Sequence, residues 1–171
     1  MLEVAVLQDS GWTDATDWQT ISDRAIAAAF AESGYSAAAT TTVPLEISIR
    51  FTSDDEVQTL NRNYRAKDKP TNVLSFPMAD PDLIASTADG DEIEILLGDI
   101  VLAHGVCASE AAERGISIED HAAHLLVHGT LHLLGYDHVG SDKEAEAMKA
   151  IERRALARLG LADPYALPHG E

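Results

Sequence analysis

The sequence predicts a mixed α/β (α+β) domain, a small mixed four-stranded sheet covered by about five helices. Three observations carry this expectation. Four short apolar runs have strand length, and five stretches have helical periodicity with start and stop signals. Their order along the chain is β-α-β-α-β-β-α-α-α, which interleaves the two classes rather than segregating them. No linker is long enough to separate domains, so residues 1–171 read as one domain with a single core.

"EVAVLQ" (3–8) alternates and reads as a strand. "TDATDWQTISDRAIAAAFAESG" is alanine-rich, stops at Gly34 and reads as a helix. "VPLEISIRFT" (43–52) sets Leu45, Ile47, Ile49 and Phe51 against Glu46, Ser48 and Arg50, a half-buried strand. "SDDEVQTLNRNY" opens with capping residues and reads as a short helix. "TNVLSF" (71–76) is a short strand closed by Pro77, and residues 78–92 carry the proline, glycine and aspartate of a loop. "IEILLGDIVLA" (93–103) has a nearly continuous apolar centre, as expected for a strand in the middle of a sheet. Helices are expected at about 104–114, 118–134 and 141–159, closed by Gly115, Gly135 and Gly160.

Composition narrows the function classes. With 46% hydrophobic residues, a packed fold is expected. No apolar run approaches a membrane span, and the N-terminal "MLEVAVLQDSGW" lacks the features of a signal peptide. Cys107 is the single cysteine, so no internal disulfide can form, and a cytoplasmic location is expected. The formal net charge is −17, from 29 acidic and 12 basic side chains, which should repel nucleic acid and anionic membranes. The charge is uneven. Arg62, Arg65, Lys67 and Lys69 share "RNYRAKDK", and six acids fall between 80 and 94. On charge alone the basic stretch reads as a solvated loop.

The chemistry concentrates in "HGTLHLLGYDH" (128–138). On a helix at about 100° per residue, His121, His124, His128 and His132 fall within an arc of about 80°. Neutral imidazoles at i and i+4 reach one ion, Gly135 can reverse the chain, and His138 then returns to it. Three protein ligands leave one position open, which favours a catalytic zinc. The spacing H-x-x-x-H-x-x-G-x-x-H is that of a class of zinc peptidases, which carry a glutamate base after the first histidine. Here Gly129 stands in that place. His124 is a candidate for hydrogen-bonding a ligand or bound water, and His121 reads as a partly exposed helix residue. Asp99 and Asp137 are candidate carboxylate partners for the ligand imidazoles. Cys107 with His104 could be imagined as a nucleophile pair, but both fit an ordinary amphipathic helix, which is the reading preferred.

Three blocks, "LNRNYRAKDKPTNVLSFP" (60–77), "LLGDIVL" (96–102) and "HAAHLLVHGTLHLLGYDH" (121–138), resemble the YbeY-type endoribonucleases, metal-dependent proteins of bacterial ribosomal RNA maturation. The resemblance implies a zincin-like fold, with one Zn2+ per chain on His128, His132 and His138. It implies a functional arginine at Arg65, with Arg62, Lys67 and Lys69 as RNA contacts. The implied activity is zinc-dependent, single-strand-specific cleavage of RNA in 16S rRNA processing and ribosome quality control. The implied partners are ribosomal RNA, the small ribosomal subunit and its assembly proteins, with no role for membrane or DNA. One departure is visible: the family commonly has "PTDVLSFP", and Asn72 replaces that aspartate.

A missing peptidase base suits phosphodiester cleavage, which needs charge neutralised on phosphoryl oxygens rather than a proton returned to an amine. Arginine offers a planar, permanently charged fork for that task. Two rivals stay open at this level. One is a peptidase whose base is relocated to Glu144 or Glu146. The other is a ribosome assembly factor with a mainly structural zinc. The alternative for Arg65 is that it pairs with a local acid such as Asp68 and only pins its loop.

Overall fold

The structure is a computed structural model that describes residues 1–9, 11–87, 94–137 and 141–165. Among these, four strands form one sheet in the order β1-β2-β4-β3. The strands are β1 (Leu2–Gln8), β2 (Leu45–Thr52), β3 (Val73–Pro77) and β4 (Ile95–Ala103). β1, β2 and β4 run parallel, and β3 lies antiparallel on β4 at the opposite edge. The expected mixed sheet is therefore present, and its apolar strand β4 is an inner one. Both faces of β4 are covered, so alternation gives no advantage there.

The long helices are α1 (Trp18–Glu32), α3 (Asp54–Arg65), α5 (His104–Arg114), α6 (Ile118–Leu133) and α7 (Asp142–Arg158). These are the five expected from the sequence. Two short helices were not expected, α2 (Ser36–Ala39) and α4 (Pro81–Ser86), and α4 lies in the stretch read as a loop. The physical reason is that proline and aspartate open helices as readily as turns. The Asp80 side chain accepts from the Asp82 N–H at 2.8 Å, Pro81 begins the helix, and Ile84 anchors it in the core.

Serine and aspartate caps start four of the long helices. Asp17, Ser53, Ser117 and Ser141 accept from the N–H groups of Thr20, Glu56, Asp120 and Glu144 at 3.0–3.2 Å. α5 has no side-chain cap of its own, and Asp54 of α3 accepts from the Val106 N–H at 3.1 Å instead. The main core lies between the sheet and α1, α6 and α7, with Trp12, Trp18, Phe30 and Phe51 among its largest buried side chains. Trp12 and Trp18 meet edge to face at 5.0 Å, and the buried indole N–H of Trp12 is satisfied by the Thr52 carbonyl at 2.9 Å. A smaller cluster of Val57, Leu74, Val101 and Ala103 fills the other face.

α6 is buried nearly all round. It rests on the β3–β4 edge, where the Ser75 hydroxyl donates to the Gly129 carbonyl at 3.2 Å. β4 carries a bulge beneath it: Glu46 pairs with Leu96 but Ile47 pairs with Gly98, which leaves Leu97 as the extra residue. Gly98 adopts φ 141°, a conformation side chains rarely take, and a Cβ there would overlap the Phe76 carbonyl oxygen. Gly98→Ala is therefore expected to cost at least about 2 kcal/mol of unfolding free energy, measured as a shifted denaturant midpoint. An unshifted midpoint would mean that the bulge is not held as described.

Candidate active site

The site is built where α6 ends. Leu134 caps the helix and Gly135 follows with φ 95°, so the Tyr136 N–H folds back to the Leu131 carbonyl at 3.0 Å. The same turn carries the Tyr136 carbonyl to His132, whose Nδ1–H donates to it at 3.0 Å. His128 lies one turn earlier on the same face. Its Nδ1–H donates at 2.5 Å to Oε1 of Glu152, which reaches in from α7.

Those two bonds decide what the imidazoles present. A carbonyl oxygen can only accept, and so can an ionised carboxylate. Each Nδ1 therefore carries a proton, and each Nε2 offers its lone pair. The two Nε2 atoms face each other at 3.0 Å. Two lone pairs at that distance repel unless something positive lies between them, either a proton or a metal ion.

Glu152 is almost wholly buried. Burial alone would raise its pKa, but donors outweigh it. His124 donates at 3.3 Å, His128 at 2.5 Å, and the Tyr165 hydroxyl at 2.5 Å, and together they hold the carboxylate at about 2. Burial and the adjacent Glu152 raise the Tyr165 hydroxyl above its ordinary value, so it remains a donor. Glu152 and Tyr165 are the residues that sequence reasoning missed. The pairing lies 24 residues from His128, and no spacing rule reaches across a loop to a second helix. The carboxylate at His128 Nδ1 comes from neither of the two aspartates expected to serve. Asp99 lies on β4 opposite Phe76, and Asp137 lies on the cavity wall.

His128 and His132 open onto a cavity of about 640 Å³ whose wall includes Arg65, Lys67, Asn72 and Asp137. Arg65 ends α3. Its Nη2 donates to the Ser75 carbonyl at 2.8 Å, and its guanidinium lies 5.9 Å from the centre of the Phe76 ring. Asp68 pairs with Arg62 at 3.6 Å. The chain after Arg65 turns through Ala66 at φ 57°, and buried Asn61 pins it by donating to the Lys69 carbonyl at 2.9 Å. Of the basic stretch, Arg65 and Lys67 line the cavity with the histidines, while Arg62 and Lys69 do not. His138 lies outside the described residues.

One expectation is corrected here, and two remote alternatives lose support. His121 is buried, not partly exposed. Arg114 donates to its Nδ1 at 3.1 Å, so its Nε2–H donates to Glu110 at 2.9 Å, and Asn72 donates to the same carboxylate oxygen at 3.0 Å. Burial is the main influence on His121 and lowers its pKa, with Glu110 opposing. Cys107 is buried, and its thiol is pushed up to about 12 by burial, with Glu110 and Asp54 adding to the effect, so it is no nucleophile. Glu144 and Glu146 sit exposed at the start of α7 and are not among the residues that line the cavity, which gives no support to a relocated peptidase base.

The donor set fits a zinc ion. Two neutral imidazoles point their Nε2 atoms at one another, and each has its second nitrogen anchored, as metal-bound histidines usually do. Among the described residues, no group of three histidine, cysteine, aspartate or glutamate side chains is placed to hold an ion. His128 and His132 supply two such donors.

The family model described as Endoribonuclease YbeY, a class of RNA-cleaving enzymes by that description, matches residues 6–160. The chain belongs to the YbeY family of endoribonucleases. It is 56% identical over 167 residues to the Endoribonuclease YbeY of Rhizorhabdus wittichii, covering 98% of each chain. It is 53% identical over 166 residues to that of Sphingopyxis alaskensis, covering 97% of this chain and 98% of the relative. The solution structure of TM1509 from Thermotoga maritima shares the fold, with a TM-score of 0.53, 21% identity, and coverage of 96% of this chain and 100% of that one.

Two measurements follow from this geometry. A Cβ on Gly129 would lie 3.0 Å from both Ile100 Cγ2 and Ser75 Oγ. Gly129→Glu, which restores the peptidase pattern, is expected to lose at least about 2 kcal/mol of stability and to gain no proteolysis of an unfolded protein substrate. A stable, proteolytic variant would overturn this packing.

The pH dependence concerns His121. A histidine whose pKa is lowered by folding protonates first in the unfolded chain. Its contribution is complete above about pH 6.5 and is lost as pH falls below that value. The melting temperature should therefore fall with acidification through this range, and His121→Gln should flatten that part of the curve. Identical slopes in parent and variant would contradict it.

Proposed function

We propose that this chain is a zinc-dependent, single-strand-specific endoribonuclease of ribosomal RNA maturation, including 16S rRNA processing and ribosome quality control. The observation that carries the chemistry is the convergence of two anchored imidazole Nε2 atoms, 3.0 Å apart, on a cavity that also holds Arg65 and Lys67. Family membership supports RNA as the substrate. His128 and His132 would hold the ion, with His138 as the third ligand. When bound, zinc supplies Lewis-acid charge and acidifies water.

The chain's own residues do the rest. Glu152 and the Tyr136 carbonyl hold the imidazoles in one tautomer, so their lone pairs remain directed into the cavity. Arg65 is oriented by the Ser75 carbonyl and has four further N–H donors for phosphoryl oxygens. That fixed fork is worth most as charge develops, so it acts on the transition state more than on binding. Lys67 adds positive charge on the same wall. Lys69 and Arg62, farther out, would meet phosphates flanking the cut, with Arg62 partly neutralised by Asp68. In this proposal the enzyme works in the cytoplasm on the small ribosomal subunit alongside its assembly proteins. Gly129 supports nuclease over peptidase chemistry, because the carboxylate base of the peptidase pattern is missing there and even a Cβ would lie 3.0 Å from Ile100 and Ser75.

The test combines metal content with kinetics. His128→Ala, His132→Ala and His138→Ala should each lower bound zinc by elemental analysis. Arg65→Ala should keep its zinc and nearly its melting temperature, yet slow single-turnover cleavage of a single-stranded RNA at least about tenfold at saturating RNA. Full zinc in His138→Ala would overturn the ligand set. A parent-like rate in Arg65→Ala would leave that arginine structural.

A further inference from the structure

A chain of net charge −17 repels a polyanion everywhere except near its few basic side chains. Within the basic stretch, one of the four cations, Arg62, is already paired with an acid. A surface of this kind needs a contact with RNA that does not depend on charge. Base stacking on an aromatic ring is such a contact, since every base has an apolar face.

Tyr64 stands on the last turn of α3, next to Arg65. It is 71% exposed, more than any other large hydrophobic residue among those described. Val57, Leu60 and Asn61 share its helix face, so the ordinary reading is that it ends the apolar stripe of α3. That reading accounts only for an edge of the ring, which meets Phe76 at 5.6 Å and 68°. Phe76 in turn lies beneath the Arg65 guanidinium, and Arg65 lines the histidine cavity. Tyr64, Phe76 and Arg65 therefore form a continuous rank leading from solvent to the cavity. The ring is steadied by Phe76, so docking a base on it costs little conformational entropy.

We propose that Tyr64 is a stacking platform for an unpaired nucleobase of single-stranded RNA whose backbone passes Arg65 and Lys67. This rests on the ribonuclease reading above and adds a residue that grips substrate beside the cut. A base fits better than an apolar protein partner, because the neighbouring groups, Arg65, Lys67 and Lys69, complement phosphate. A duplex would hide the base faces, so such a contact also favours single strands.

The experiment uses the full zinc-loaded chain and a single-stranded oligoribonucleotide. Tyr64→Ala should weaken RNA binding roughly tenfold, within the range for loss of one stacked base, with parent-like zinc content and melting temperature. The loss should appear in KM. The slope of log Kd against log salt should stay unchanged, because no phosphate contact is removed, whereas Lys67→Ala should reduce it by about one. Tyr64→Trp should restore affinity, and the fluorescence of its added indole should be quenched by RNA. Trp12 and Trp18 are buried and shielded from such quenching. Parent-like affinity in Tyr64→Ala, or indole emission at position 64 that ignores saturating RNA, would overturn the proposal and leave Tyr64 a packing residue or a protein contact. If the parent itself neither binds nor cuts single-stranded RNA, the ribonuclease reading fails and this proposal fails with it. That result is distinguishable because it appears before any variant is made.

Discussion

Gly129 lets the backbone of α6 settle onto the sheet with no side chain between them, and a Cβ there would lie only 3.0 Å from Ser75 and Ile100. This close approach fixes the height and rotation of the helix. His128 and His132, on the neighbouring part of its surface, then face the groove between β3 and the end of α3 rather than the core. Arg65 is fixed to the same strand residue, through the Ser75 carbonyl. A single residue of an edge strand thus sets both walls of the cavity, its hydroxyl holding the helix and its carbonyl holding the arginine.

A buried carboxylate ties this arrangement to the C-terminal part of the chain. An isolated ion in the position of Glu152 would be expensive, and its acid would stay protonated. Three donors, His124, His128 and Tyr165, reverse that preference. The carboxylate in turn obliges His128 to keep its Nδ1 proton. α6, α7 and the segment bearing Tyr165 are therefore coupled through one side chain, and the tautomer of His128 depends on residues remote in sequence.

A second polar network gives Asn72 its partners. The Asn72 amide donates to Glu110, which also receives His121, while Oδ1 of Asn72 accepts from the Val73 N–H at 2.7 Å. An aspartate at 72 could still accept from Val73, but it would set a second carboxylate against Glu110. In this chain the amide does what the charge could not. Because Asn72 lines the histidine cavity, its neutral amide also adds no negative charge to a wall that the proposed reaction exposes to phosphate.

The sequence by itself determined the four strands, the five long helices and the mixed α/β class, because caps, apolar periods and terminal glycines act over a few residues. The same locality made His128 and His132 legible as a pair, since i and i+4 share a face of any helix. Proline and aspartate before Ile84 were ambiguous between turn and helix, and the burial of Ile84 decided for helix. Only the tertiary structure decided that Glu152 and Tyr165 belong to the site, that His121 is buried, and that Arg62 rather than Arg65 takes Asp68. It also showed how tightly position 129 packs against Ser75 and Ile100. Each of these outcomes depends on which surfaces of distant helices and strands are pressed together, and the distances that set hydrogen bonding and burial arise only from that packing.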